Sequence, residues 1–346
     1  MTLQHRTETA AIEEIVLSTA SGATATVLDH GATLRDLKVP APGGGVQRVV
    51  LGFGDIDLYR TNPTYFGATA GRHANRIRAG RFSLEGSEHS LSLNEAGRNH
   101  LHGGFRGFSH RPWRVVSRAA NAVTLELVSP AGEEGYPGTV TARCTYTLLD
   151  PGTLRVEMTA ETDAPTIVNM AHHSYFTLEP GGSVRDLDLA INAGHYTPVD
   201  ETLIPTGEIA PVIDTPYDFR TARPVRWWGE GSAEYDINFV LDRHGDDGTT
   251  AEGLAHAATL RSPRSGLSLD VWTTEPGLQV FDGGFLGPEP AGLDGARHFP
   301  HAGLCLETQR FPDGPNQVGF PSPALAPGDL YRHVTEYRFS LHRPEA

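Results

Sequence analysis

Apolar and polar residues alternate with a period of two in short runs along nearly the whole chain. The runs are Ala25–Leu28, Trp113–Val116, Ala122–Val128, Val140–Leu148, Leu154–Met158, Leu267–Trp272, Leu278–Phe281 and Glu336–Leu341. Successive side chains of a strand point to opposite faces, so this alternation predicts half-buried β-strands. Asp150-Pro151-Gly152 predicts a hairpin turn between two of them. The apolar run Leu304-Cys305-Leu306 predicts a strand buried on both faces. Helix-period stretches are scarce and short. The segments Glu179–Ser183 and Asp242–Gly253 are polar or glycine-rich and read as loops. No composition break and no fixed-period repeat divides the chain. The pattern predicts an all-β fold, a large antiparallel β-sandwich, as a single domain over residues 1–346.

Composition narrows the picture. The 39 glycines and 25 prolines among 346 residues exceed a sixth of the chain, which suits many strands and turns. The formal charge is −14 and no basic stripe appears, so nucleic acid is not an expected partner. Lys38 is the only lysine and stands before Val39-Pro40 at an expected strand end, so Schiff-base chemistry lacks a nucleophile. Cys144 and Cys305 each sit in a strand-like run and read as buried thiols. Met1 to Glu14 is mostly polar, unlike a signal peptide, and no apolar run approaches the ~18 residues of a membrane span. The expectation is a cytoplasmic enzyme with no membrane partner, either monomer or homodimer.

Candidate chemistry gathers where strands meet loops. Glu307 follows the buried run and precedes the loop Pro312-Asp313-Gly314-Pro315, a suitable place for a general base. Gly71-Arg-His-Ala-Asn-Arg-Ile77 supplies Arg72, Asn75 and Arg76, able to hold hydroxyls or phosphate. In Asn99-His-Leu-His-Gly-Gly104, a strand would put His100 and His102 on one face. No further metal ligand follows at close spacing, so no metal is expected. His172 and His173 are adjacent, so a strand would turn only one of them toward a given site. Asp236 and Asn238 would share a face of one apolar strand, with Asp236 either a ligand anchor or a turn cap, and Gln279 stands among apolar neighbours. A carboxylate base, imidazole acids, an arginine, an aspartate and amides, with aromatic neighbours such as Phe105, Tyr175 and Phe281, make a set suited to a sugar. A sugar has many hydroxyls and little net charge.

The chain resembles the aldose 1-epimerase (galactose mutarotase) family over roughly residues 10 to 341. The resemblance is carried, in order, by Gly71–Ile77, Asn99–Phe108 with Trp113, Val168–Leu178, Leu203–Ile209, Tyr217–Arg220, Tyr235–Phe239, Pro276–Phe281 and Leu306–Asp313. Asn316, Phe320-Pro-Ser322, Pro327-Gly328 and Tyr331 complete it. The resemblance implies a β-supersandwich with the site in a cleft on one face. It implies Glu307 as catalytic base, His173 as catalytic acid, and His102, Asn75, Arg76, Asp236 and Gln279 as substrate-holding residues. It implies exchange of α- and β-anomers of an aldohexose such as galactose or glucose, without a cofactor. Three departures bear on sugar preference. His172 stands where members often have Asn, Thr177 replaces an Asn, and Phe281-Asp-Gly-Gly-Phe285 replaces a YTGNF-like run, which would put Asp282 and Gly284 near the cleft rim.

On this reading the base and acid approach the sugar from different sides. The ordinary order of side-chain ionisation assigns the acidic limb of a bell-shaped pH profile to Glu307 and the alkaline limb to His173. Rival readings are a glycosidase using Glu307 with Asp236, a phosphosugar epimerase using Arg72, Arg76 and Arg78, and a sugar-binding module without catalysis.

Overall fold

The structure is a computed structural model and describes residues 11–226, 234–242, 250 and 252–341. Residues 1–10, and 243–249 and 251 of the expected Asp242–Gly253 loop, lie outside the described residues. Strands dominate, and the helical segments among the described residues are short 3-10 turns.

Three antiparallel sheets carry the architecture. The largest has nine strands in the order Arg114–Ala119, Ala122–Ser129, Val140–Leu149, Thr153–Thr162, Tyr331–Leu341, Leu267–Thr273, Ala255–Arg261, Asp188–Ile191 and Arg223–Pro224. Its centre is built by the predicted alternation. Val140, Ala142, Cys144, Tyr146 and Leu148 are buried along one strand, and Leu154, Val156, Met158 and Ala160 along the next. Leu149 pairs with Thr153 across the expected turn. The edge strand Arg114–Ala119 is mostly exposed and carries Arg114 and Arg118, charges that discourage pairing with another edge. A four-stranded N-terminal sheet runs Glu14–Ser18, Thr24–Leu28, Thr33–Pro40 and Val46–Arg48.

The third sheet positions the site. Its six strands run Tyr175–Phe176, Leu304–Gln309, Gly277–Phe281, Asp236–Val240, His195–Thr197 and Ala210–Pro211. Leu304 and Leu306 join the main core, which runs from Ile15 to Phe339 and draws on all three sheets. Cys305 and Glu307 therefore point to the opposite face. All six residues of Leu304–Gln309 are buried, because loops cover that second face too. Two-sided cover is why this strand reads as a continuous apolar run rather than an alternation.

Candidate active site

Register assembles the floor of the site. Residues directly opposite each other on antiparallel strands share a face. One row across the six-stranded sheet runs Tyr175, Cys305, Phe281, Asp236. The next row runs Glu307, Gln279, Asn238, Thr197. Four segments that are far apart in sequence thus deliver their polar residues to one surface. A cavity of about 260 Å³ stands over it, lined by Pro63, Thr64, Tyr65, Asn75, Arg76, Leu101, His102, His173, Tyr175, Asp236, Phe281, Phe285 and Glu307.

His173 comes from the short strand Ala171–His173, which pairs with Ala68–Ala70. Its Nε2 lies 3.5 Å from Glu307 Oε1. Glu307 is 2% exposed and its Oε2 has no protein partner. Burial and then the Asp236 carboxylate hold the Glu307 carboxyl well above its ordinary range, while Arg76 opposes them. Burial pulls the His173 imidazole down to about 4. The carboxyl of Glu307 thus holds its proton to higher pH than the His173 imidazole does. This reverses the order expected from ordinary values, because loss of water disfavours the charged form of both groups.

Arg76 binds Glu95 Oε1 through Nε at 2.8 Å and Asp236 Oδ2 through Nη1 at 3.3 Å. Burial works against its charge, and Asp236 and Glu95 more than offset this, leaving its pKa raised. Gln279 does not line the cavity. Its Nε2 donates to Asp236 Oδ1 at 2.6 Å, so it reaches the pocket through that carboxylate.

Asn75 and His102 clamp each other. The His102 backbone N–H donates to Asn75 O at 3.1 Å, and the Asn75 N–H donates to His102 Nδ1 at 3.2 Å. Both residues have left-handed backbones, with φ of 60° and 49°. The left-handed turn at His102 ends the strand at His100–Leu101, so the two histidines do not share a face as expected. His100 is instead buried against the Tyr136 hydroxyl at 2.7 Å and Ser92 O at 2.7 Å.

Tertiary structure brings together the third ligand that sequence spacing lacked. Nitrogen and oxygen atoms of His102, His173 and Glu307 lie within 4.8 Å of one another. The donor chemistry nevertheless disfavours a metal. A metal-bound histidine donates from its second nitrogen, whereas His102 Nδ1 accepts from Asn75. Burial and then His173 hold the His102 ring neutral, so its Nε2 carries the proton. It is a hydrogen-bond donor, fit for a sugar oxygen.

Comparison with known proteins places the chain in a family. The aldose 1-epimerase family model matches residues 13–338. The chain belongs to the aldose 1-epimerase family. It is 43% identical over 324 residues to a galactose mutarotase from Sus scrofa, covering 91% of this chain and 90% of that protein. It is 36% identical over 340 residues to an aldose 1-epimerase from Escherichia coli, covering 94% of each. A solved GalM/aldose epimerase homologue from C. elegans superposes with a TM-score of 0.89 at 30% identity, over 96% of this chain and 100% of that one. The fold is therefore that of the galactose mutarotase-like proteins.

Of the segments that depart from the epimerase pattern, 281–285 lines the cavity through Phe281 and Phe285, while His172, Thr177 and Asp282 do not line it. His172 points away from the cavity and is buried, with Nδ1 at 3.2 Å from the Tyr146 hydroxyl and Nε2 at 2.7 Å from Ser174 Oγ. Asp282 is not at the rim. It follows Phe281 on the strand, turns to the other face, and is fully buried against Arg185 and His301. Thr177 is buried, and its hydroxyl donates to Glu179 O at 3.2 Å. Phe105 is exposed and does not line the cavity.

Arg72 is a structural residue. Its guanidinium is buried among the carbonyls of Ser129, Pro130, Pro137 and Gly138. Arg78 pairs with Asp200. Sequence reasoning did not pick out Thr64, Tyr65 or Phe285. The turn-forming Asn62-Pro63 before an aromatic residue was the available signal.

Proposed function

We propose that the protein acts as an aldose 1-epimerase with Glu307 as base and His173 as acid, on a free aldohexose such as galactose or glucose. Isomerase activity follows from full-length membership of the family. The assignment of roles rests on one observation: an imidazole and a buried carboxyl 3.5 Å apart in a cavity lined by Asn75, Arg76, His102 and Asp236.

The reaction begins with Glu307 ionised and His173 protonated. Glu307 takes the proton from the C1 hydroxyl, C1–O5 breaks, and His173 donates its proton to O5. The product is the open aldehyde, with Glu307 protonated and His173 neutral. Rotation about C1–C2 presents the other carbonyl face, and the reverse transfers reclose the ring. The two reacting oxygens are bonded to the same carbon, so a pair 3.5 Å apart serves them from one edge of the sugar rather than from two sides. The raised Glu307 and lowered His173 favour the proton placement of the ring-open state. His173 Nε2 and Glu307 Oε1 face each other, so a proton can pass between them to ready the pair for the closed sugar. The His102 N–H and the Arg76 guanidinium stabilise charge developing on oxygen. Asp236, steadied by Gln279, and Asn75 hold hydroxyls and fix the ring over the pair.

A phosphosugar is the weaker reading, since Arg72 and Arg78 are committed elsewhere and Arg76 is the one cation among the described residues lining the cavity. Polarimetry of freshly dissolved α-D-galactose and α-D-glucose tests the proposal. Acceleration of the approach to the anomeric equilibrium is the expected result, and sugar binding without acceleration would reduce the protein to a binding module.

A further inference from the structure

We propose that Tyr65 is a positioning residue for the acid–base pair, its ring holding the His173 and His102 imidazoles in their working orientation. The proposal rests on the roles given to His173 and Glu307 above.

Tyr65 lines the cavity and touches both site histidines. Its ring centroid lies 4.6 Å from that of His102 and 5.7 Å from that of His173, nearly parallel to the latter at 27°. The two imidazoles lie 5.2 Å apart at 72°, so the three rings form a closed triangle. His110 closes the outer side of Tyr65, edge-on at 5.6 Å. A ring stacked on His173 resists rotation of that imidazole, and rotation is what would swing Nε2 away from Glu307 Oε1. The π face also favours the imidazolium form that His173 needs when it donates.

The backbone beneath Tyr65 is built for this placement. Its φ is +56°, in the left-handed region that a bulky residue occupies only where its surroundings hold it there. Asn62, fully buried, supplies that hold. The Tyr65 N–H donates to Asn62 O at 2.9 Å, and the Asn62 side chain both donates to Phe66 O and accepts from Phe66 N–H. The Gly67 N–H donates to His173 O at 2.9 Å, tying the same loop to the histidine's own strand.

None of these ring contacts uses the hydroxyl. Burial and then Glu95 push it up to about 12, so it stays protonated and does not compete as acid or base. The ring, not the hydroxyl, is the working part, and this makes the proposal testable by substitution.

Three variants separate the contributions. Tyr65→Phe keeps the ring. Tyr65→Asn removes it, with a residue that tolerates left-handed backbone. Tyr65→His restores an aromatic ring in a residue equally tolerant of that φ. The expected kcat for anomer exchange is within about 3-fold of wild type for Tyr65→Phe. Misplacing a reacting group by about 1 Å costs on the order of 100-fold, so Tyr65→Asn should lose roughly 10- to 100-fold in kcat with little change in KM. Tyr65→His should recover part of that loss. The His173 ring resonances, followed by NMR without sugar, should broaden or double in Tyr65→Asn and stay single in Tyr65→Phe. Wild-type kcat in Tyr65→Asn, or equal losses in Tyr65→Phe and Tyr65→Asn, would overturn the proposal. If Tyr65→Asn does not fold, Tyr65→His against Tyr65→Phe carries the same comparison. A wild-type protein inert toward both sugars would sink the functional reading, and the NMR arm would still decide whether Tyr65 orders His173.

Discussion

Replacing Glu307 with Gln should abolish most activity while leaving the protein at least as stable. Gln is close in shape to Glu but cannot take a proton from the C1 hydroxyl. Loss of a general base lowers kcat by roughly 10²–10⁴, about 3–5 kcal/mol of barrier. Stability should move the other way. Glu307 is buried, its Oε2 is unpartnered, and its carboxyl is held well above the ordinary range by burial and Asp236. Its folded pKa is thus raised above its unfolded value. Its contribution to stability is fully present below the unfolded pKa and is lost as pH rises through the folded one. Each unit of such displacement stands for about 1.4 kcal/mol once the group is ionised. Gln carries no such cost, so the gain in Tm for Glu307→Gln should be small near pH 5 and grow toward pH 9. Polarimetry of fresh α-D-galactose measures kcat, and thermal unfolding by circular dichroism at the two pH values measures stability. A kcat within tenfold of wild type, or a Tm below wild type at both pH values, would refute the reasoning.

His173→Asn should lose most of its activity with a near-normal Tm, whereas His172→Asn should lose about 1–3 kcal/mol of stability and much less activity, because His172 serves Tyr146 and Ser174 outside the cavity; equal losses of kcat in two folded variants would contradict this. The kcat/KM profile should be bell-shaped with its limbs assigned in the reverse of the ordinary order. Below the depressed His173 value of about 4 both groups are protonated and the base is lost; above the raised Glu307 value both are deprotonated and the acid is lost. A His173 imidazole that titrates near 6.5 in the free protein, followed by NMR, would rule this out. Arg72→Ala should destabilise the fold by about 3–5 kcal/mol by stranding the carbonyls of Ser129, Pro130, Pro137 and Gly138. An unchanged denaturation midpoint would show that water replaces the guanidinium.

Local pattern alone carried the secondary structure far. The eight alternating runs fall on strands, with Trp113 standing one residue before its strand begins. The Asp150-Pro151-Gly152 turn closes the hairpin that it was expected to close. These features are legible because burial of one face of a strand writes itself into sequence with a period of two. The same rule correctly separated His172 from His173, which point to different surroundings. It failed for His100 and His102, because a single left-handed residue at His102 breaks the alternation on which the rule depends.

What only the tertiary structure decided was which polar residues meet and in what protonation state. Asp236, Gln279 and Glu307 share a surface through the register of three strands, and no local signal encodes register between segments tens of residues apart. Arg72 and Arg76 look alike in sequence, yet one is spent on backbone carbonyls and the other faces the pocket. Tyr65 enters the site through a loop whose shape Asn62 sets, and nothing in its immediate neighbours marks it as a partner of two histidines. The reversed ionisation order of Glu307 and His173 arises from desolvation. Desolvation is a property of everything packed around a group, so it exists only once the chain has folded.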